Sequence, residues 1–238
     1  MYKLTDENKK IRDMFTSITQ KYDFLNHLLS MNIDKVWRKK AVRMMDLTKE
    51  TSVLDIATGT GDVAIEIMKQ STNKLHVVGV DFTQEMLKLA IKKTSVKKET
   101  SSFDFVNAPA EALPLKDNTF DYCTIAFGIR NVVDKMMALK EMARVLKPNG
   151  KVVILEFSKP KNKTFNAIYS RYFMNILPTV GGLFSKKNAY TYLPDSVSKF
   201  PSNEKFVEMM EFAGFEDITV KPLTFGIASI YTGKSKSA

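Results

Sequence analysis

Gly59 and Gly61 stand one residue apart in VLDIATGTGD (residues 53–62), between a short apolar run and AIEIMK, which has helical spacing. That order reads as strand, tight turn and helix. The glycines let the backbone turn sharply and approach a ligand, while the helix start offers unpaired N–H groups. Twenty residues past Gly61 a second apolar run, Leu75 to Val80, ends in Asp81. An acid at that spacing is placed to accept hydrogen bonds from the two hydroxyls of a ribose. The chemistry implied is the holding of a nucleoside-containing cofactor across the ends of two strands.

Alternating strands and helices must position these residues. The pattern predicts a strand Ser52 to Ala57 with helix Gly61 to Gln70, a strand Leu75 to Val80 with helix Thr83 to Lys93, and a third strand Phe103 to Asn107. A fourth strand, Asp121 to Phe127, precedes a helix carrying Met136, Leu139, Met142 and Leu146, which stops at Pro148. Asn149-Gly150 then turns the chain into a fifth strand, Lys151 to Phe157. A helix Asn203 to Ala213, capped at Gly214, leads to segments Ile218 to Pro222 and Phe225 to Thr232, expected as an antiparallel hairpin at the sheet edge. The expected fold is α/β and Rossmann-like, a mostly parallel seven-stranded sheet whose ligands bind beyond the carboxyl ends of the strands.

Two further segments frame this core, and the whole chain reads as one domain. Residues 1–50 read as an N-terminal helical cap, with YDFLNHLLSMNIDKVW bringing Tyr22, Asn26, His27 and Trp37 together. The core spans residues 51–158, and 203–238 hold the last helix and edge hairpin. Between them, residues 159–202 break the rhythm with Pro160, Pro178, Gly181-Gly182 and Pro194 amid Phe165, Tyr169, Tyr172, Phe173, Phe184, Tyr190 and Tyr192. So long an aromatic stretch is expected as a helical insertion covering the substrate side, or as packing.

Composition excludes several classes. The chain has 238 residues, 44% hydrophobic and 26% charged, which is ordinary for a globular domain. It has no apolar run of membrane-spanning length and no apolar core at the N-terminus, so a cytoplasmic protein is expected. The single cysteine, Cys123, lies in an apolar run, which leaves no disulfide framework or cysteine metal site. A net charge of +10 admits anionic partners, but the lysines fall in scattered pairs without an aromatic platform. Solvated surface and a membrane-surface contact are therefore preferred to nucleic acid.

Two cofactor classes fit the glycine turn. GTGDVA matches the dinucleotide pattern with Ala64 in the third place, which admits a nicotinamide or flavin enzyme. Three features favour S-adenosylmethionine instead. Asp55, two residues before the turn, can reach a cationic amino-acid moiety; Ala110 and Glu111 in APAEALPL fall where an adenine edge would lie; and the terminal hairpin is not needed by a dinucleotide half-domain.

VLDIATGTGD, VGVDFTQEML, PAEALPLKDNTFDYCTIAFGIRN and RVLKPNGKVVILEFS resemble class I S-adenosylmethionine-dependent methyltransferases. YDFLNHLLSMNIDKVW, FGIRN and YTYLPDSVSKFP…AGF…LTFGIASIYTG narrow the resemblance to the menaquinone and ubiquinone biosynthesis C-methyltransferases. Three positions depart from the family pattern: Asp34 replaces a histidine, Asn149 a glycine, and Pro109 an Asn or Asp. The resemblance implies methyl transfer to a ring carbon of a polyprenyl quinol, most plausibly demethylmenaquinol. A benzoquinol of ubiquinone biosynthesis, a small soluble acceptor and an NAD-dependent oxidoreductase are the alternatives. It implies cofactor contacts at Gly59, Thr60, Gly61, Asp55, Asp81, Phe82, Ala110, Glu111 and Ala126. It also implies Arg130 and Asn131 at the acceptor's oxygen, Arg130 stabilising an oxyanion directly or through an ordered water, with Tyr22 and His27 closing the pocket; a plain salt bridge from Arg130 to Asp134 is the alternative. A reversible contact with the cytoplasmic membrane face is expected, and a homodimer is admitted.

Overall fold

The strand at the centre of the sheet is buried on both faces, as a parallel strand under helices must be. β1 (Thr51–Ile56) lies between β2 (Leu75–Asp81) and β4 (Phe120–Ala126), pairing with each in parallel. In this computed structural model, which describes residues 4–30, 32–95, 101–160 and 188–236, β3 (Ser101–Asn107) extends the sheet on one side and β5 (Leu146–Phe157) on the other. β7 (Ala228–Ser235) then pairs antiparallel with both β5 and the edge strand β6 (Phe215–Leu223). The order β3-β2-β1-β4-β5-β7-β6 reverses direction between β1 and β4, and a crevice opens there at the strands' carboxyl ends.

Helices cover both faces. α4 (Asp62–Gln70) and α5 (Gln84–Thr94) follow β1 and β2, and α6 (Lys135–Val145) follows β4. α6 packs with α8 (Asn203–Phe212) over one face, where Leu139, Met142, Phe206 and Met210 meet Tyr231 and Phe120. The other face holds Ile67, Val53 and Leu155 under Trp37, Val42 and Leu47. Those last side chains belong to or follow α3 (Ile33–Val42), the third cap helix after α1 (Asp6–Ile18) and α2 (Tyr22–Leu29).

Two local readings change. The turn expected at Asn149-Gly150 lies inside β5, where the pairing slips between Phe120↔Leu146 and Tyr122↔Lys151. Asn149 takes the left-handed conformation (φ +60°), which its short polar side chain tolerates in place of glycine. The insertion appears as α7 (Asn188–Lys199), with Pro194 inside it, and the expected aromatics Phe165, Tyr169, Tyr172, Phe173 and Phe184 lie outside the described residues. Among the described residues no helix is long and apolar enough to cross a membrane.

Candidate active site

The crevice between β1, β2 and β4 is a cleft with about 660 Å³ of empty space, part of it open to solvent. The turn after β1 forms its floor. Gly59 has φ +57°, and a Cβ added there would find nothing nearer than 4.0 Å, so the turn's open side faces the cleft. Gly61 has a different task. At φ +87° it starts α4, and an added Cβ would lie 3.3 Å from the Ala90 Cβ, so this glycine lets α4 and α5 approach rather than touching a ligand. Thr60 likewise turns away: its hydroxyl donates to Asp23 Oδ1 at 2.6 Å and accepts from Lys93 Nζ at 3.0 Å.

Asp81 ends β2 at the cleft wall, 7% exposed. Its Oδ2 accepts the Gly59 N–H at 2.9 Å and its Oδ1 the Thr83 N–H at 2.8 Å. Each carboxylate oxygen accepts more than one hydrogen bond, so lone pairs remain for a pair of ligand hydroxyls. Burial pushes the Asp81 carboxyl up to about 6 despite those two N–H donors. Asp55 is 1% exposed, behind the turn, and accepts the Thr58 hydroxyl at 2.6 Å. Burial, opposed by the Thr58 bond and reinforced by the charge of Asp81, pushes it up to about 7. It does not line the cleft, and its side chain holds the turn from beneath. Phe82, Pro109, Ala110, Glu111 and Ala126 do line it.

The other side of the cleft forms at the end of β4, where Ile129–Asn131 make one 3₁₀ turn. Asn131 lines the cleft with its Oδ1 buried and without a hydrogen-bond partner among the described residues. Arg130 does not line it, and its described partners are not Asp134. Its Nη1 donates to Glu156 Oε1 at 2.8 Å and to the Phe127 carbonyl at 2.5 Å, and its guanidinium lies 5.3 Å from the centre of the Phe157 ring. Glu156 is fully buried and also accepts the Arg130 N–H at 3.1 Å. Asp134 is instead spent as the N-cap of α6, accepting the Met137 N–H. The salt bridge between Arg130 and a buried carboxylate fixes the turn that carries Asn131.

Tyr22 lines the cleft with Phe15, their rings edge to face at 6.0 Å. His27 is displaced from its expected place, because Nδ1 lies 2.9 Å from Asp34 Oδ2. Asp34 also accepts the Ser30 hydroxyl at 2.6 Å and pairs with Arg38. Although its burial works the other way, Arg38 and Ser30 hold the Asp34 carboxyl below its usual range. The aspartate standing where the family pattern has histidine is thus the hub of an ion cluster that draws His27 away from the cleft.

Residues 2–235 match the model of the ubiE/COQ5 methyltransferase family. The chain belongs to that family. A Geobacter sulfurreducens ubiquinone/menaquinone biosynthesis C-methyltransferase is 51% identical over 98% of this chain and 91% of its own. A Shouchella clausii demethylmenaquinone methyltransferase is 40% identical over 95% and 97%. Among solved structures, a Thermotoga maritima S-adenosylmethionine-dependent methyltransferase matches with TM-score 0.68 at 22% identity over 95% of this chain and all of its own. The cyclase SpnF matches with TM-score 0.71 at 14% identity over 99% and 98%. Identities that low show the fold alone, and a cyclase on the same frame makes the point. Family membership makes the chain an S-adenosylmethionine-dependent C-methyltransferase.

The cleft fits that cofactor. Asn131 Oδ1, on a lining residue, is a buried polar atom without a partner among the described residues, and Asp81 is a buried acid on the cleft wall. A dinucleotide would bring an anionic pyrophosphate to the same turn.

Sequence reasoning did not find Asn8, whose Nδ2 donates to Glu111 Oε1 at 3.3 Å and carries α1 to the adenine-side loop. The signal was the Thr5-Asp-Glu-Asn8 capping box, which marks a helix start but not its neighbour. It also did not find Phe127, Phe157 and Trp37 as a cluster, with Phe127 6.0 Å from Trp37 and 4.8 Å from Phe157.

Proposed function

We propose that the protein transfers the methyl group of S-adenosylmethionine to a ring carbon of a polyprenyl quinol, with demethylmenaquinol as the preferred acceptor. One observation carries the reading: the cleft joins the buried carboxylate of Asp81, beside the Gly59 turn, to an aromatic end at Phe127, backed by Phe157 and Trp37. The first end suits a cationic sulfonium ligand and the second a flat apolar ring. The names of the relatives, which cover both menaquinone and ubiquinone biosynthesis, support the acceptor class.

Bound cofactor would supply a methyl group activated by its sulfonium, which departs as the neutral thioether while the methylated ring carbon loses its proton to water. The chain's residues align and polarise. Asp81 accepts the ribose hydroxyls, Gly59 leaves room for the methionine part, and Phe82 and Ala110 flank the adenine. Asn131 Oδ1 accepts a hydrogen bond from the acceptor hydroxyl, which draws electron density toward the ring and its ortho carbon. Arg130 and Glu156 hold the turn that carries Asn131. Tyr22 and Phe15 close the cleft from the cap, where exclusion of water strengthens each polar contact. The acceptor's long tail implies reversible contact with a membrane surface, and the proposed chemistry draws on one chain's residues, so it requires no homodimer.

The test is incubation with isotope-labelled S-adenosylmethionine and reduced short-chain demethylmenaquinol or a demethylated benzoquinol, with mass analysis of products. Label in the naphthoquinol ring supports the reading. Label in the benzoquinol alone would replace the acceptor, and label in neither would overturn the polyprenyl quinol.

A further inference from the structure

α3 has two contrasting sides. Asp34, Trp37, Arg38, Ala41 and Val42 are buried, while Lys35, Val36, Lys39, Lys40 and, one residue past its end, Arg43 are exposed. At the α-helical repeat those five positions fall within roughly 140° of one face. None of the four cations pairs with a carboxylate among the described residues. Val36, 51% exposed, sits between them.

The link between β6 and β7 meets α3 from its buried side. The Trp37 indole N–H donates to the Thr224 hydroxyl at 2.9 Å, tying the link to α3. The next residue, Phe225, is 80% exposed, more than any other large apolar side chain among the described residues. Its backbone is left-handed (φ +57°), between Thr224 at +44° and Gly226 at +91°. A bulky side chain is disfavoured there, and in this chain Phe225 recovers little by burial. From Phe225 the path runs inward through Thr224 and Trp37 to Phe127, which lines the cleft.

We propose that the outer face of α3 and the Phe225 tip form the surface by which this enzyme docks on a bilayer of acidic phospholipid. The cations match the phosphate charge of the headgroups, and Phe225 and Val36 enter the interface between them. A second copy of the chain is disfavoured as the occupant, because four cations would meet four cations. A nucleic acid would match the charge, but one aromatic tip offers no stacking platform. The inference rests on the polyprenyl acceptor, since a tail drawn from a lipid surface gives a docking face beside the aromatic end of the cleft its use.

The experiment is co-sedimentation of the full chain with vesicles of phosphatidylcholine alone, and of phosphatidylcholine and phosphatidylglycerol in equal parts, at low and high salt. Binding should require phosphatidylglycerol and weaken with salt. Lys39→Gln with Lys40→Gln should lower partitioning at low salt about 25-fold, about fivefold per charge. Phe225→Ser should lower it about tenfold. Lys116→Gln with Lys205→Gln, on the opposite side of the sheet, should leave it unchanged. All variants should retain wild-type turnover of a short-chain quinol without vesicles. Wild-type partitioning of the α3 and Phe225 variants would overturn the docking face, as would equal binding to neutral and acidic vesicles. So would a dimer lost with Phe225→Ser in sedimentation velocity, or loss of oligonucleotide binding in these variants with vesicle binding intact. If the variants lose vesicle binding as expected while no quinol is methylated by the wild type, the docking face stands and the proposed acceptor fails.

Discussion

Asp81 and Asp55 differ in what they touch but share a cost, since both are carboxylates buried where solvent cannot stabilise their charge. Their folded values, about 6 and about 7, lie above the ordinary 3.8. The folded state therefore keeps protons that the unfolded chain releases, and stability of the cofactor-free protein should fall as pH climbs from about 4 to about 7. Asp55→Asn should flatten that slope in urea titrations, gaining on the order of 2 kcal/mol at pH 8 and nothing at pH 4. A cationic cofactor favours the ionised forms, so its affinity should rise between pH 5 and 7, with proton release measurable by calorimetry in buffers of different ionisation heat. Asp81→Ala should weaken S-adenosylmethionine by about 1–3 kcal/mol, because the Gly59 and Thr83 N–H groups and the ribose hydroxyls all lose an acceptor. Unchanged affinity would remove Asp81 from the site.

At the scale of elements, the turn Ile129–Asn131 depends on a strand that the chain reaches only later. Glu156 near the end of β5 takes both the Arg130 guanidinium and the Arg130 N–H, and pairs β5 to the end of β4. Glu156→Gln should cost about 3–5 kcal/mol in denaturant titration, since it leaves a buried guanidinium without its counter-charge. The surviving folded enzyme should bind S-adenosylmethionine normally and lose turnover, because Asn131 is displaced. Equal loss of both would mean that the turn supports the cofactor side instead. FGIRN was legible as the segment closing the fourth strand, because a buried apolar run precedes it. Arg130's partner was not, as nothing in local sequence links residues 130 and 156.

Across the molecule, one ion cluster fastens the cap to the cofactor turn. Lys93 on α5 pairs with Asp23 of α2 at 2.5 Å and Asp62 of α4 at 2.9 Å, while Thr60 bonds Asp23. Burial opposes charge on Lys93, yet Asp23 and Asp62 hold its ammonium above the ordinary lysine value. Lys93→Met should cost about 1–3 kcal/mol and speed hydrogen exchange in residues 4–30 more than in the sheet. If exchange rises uniformly, the cluster stabilises the fold without latching the cap. Asp34 and Asp62 are shifted below their ordinary value, so their stabilisation is present above about pH 4 and is lost as pH falls further.

The sequence by itself determined the parallel core, the turn at Gly59, the acid at Asp81 and the family, because each is written in contiguous residues: apolar runs of strand length, glycines before a helix, an acid closing a strand. Asn149 in a left-handed bend followed from the same local chemistry. The tertiary structure alone decided which polar side chains face the cleft. Thr60, His27, Arg130 and Asp55 all had suitable chemistry and neighbouring positions, yet each is drawn aside by a partner elsewhere: Asp23, Asp34, Glu156 and Thr58. A charged or polar group in a dry interior goes where its strongest partner is, and for Thr60 and Arg130 that partner lies beyond the reach of any local pattern.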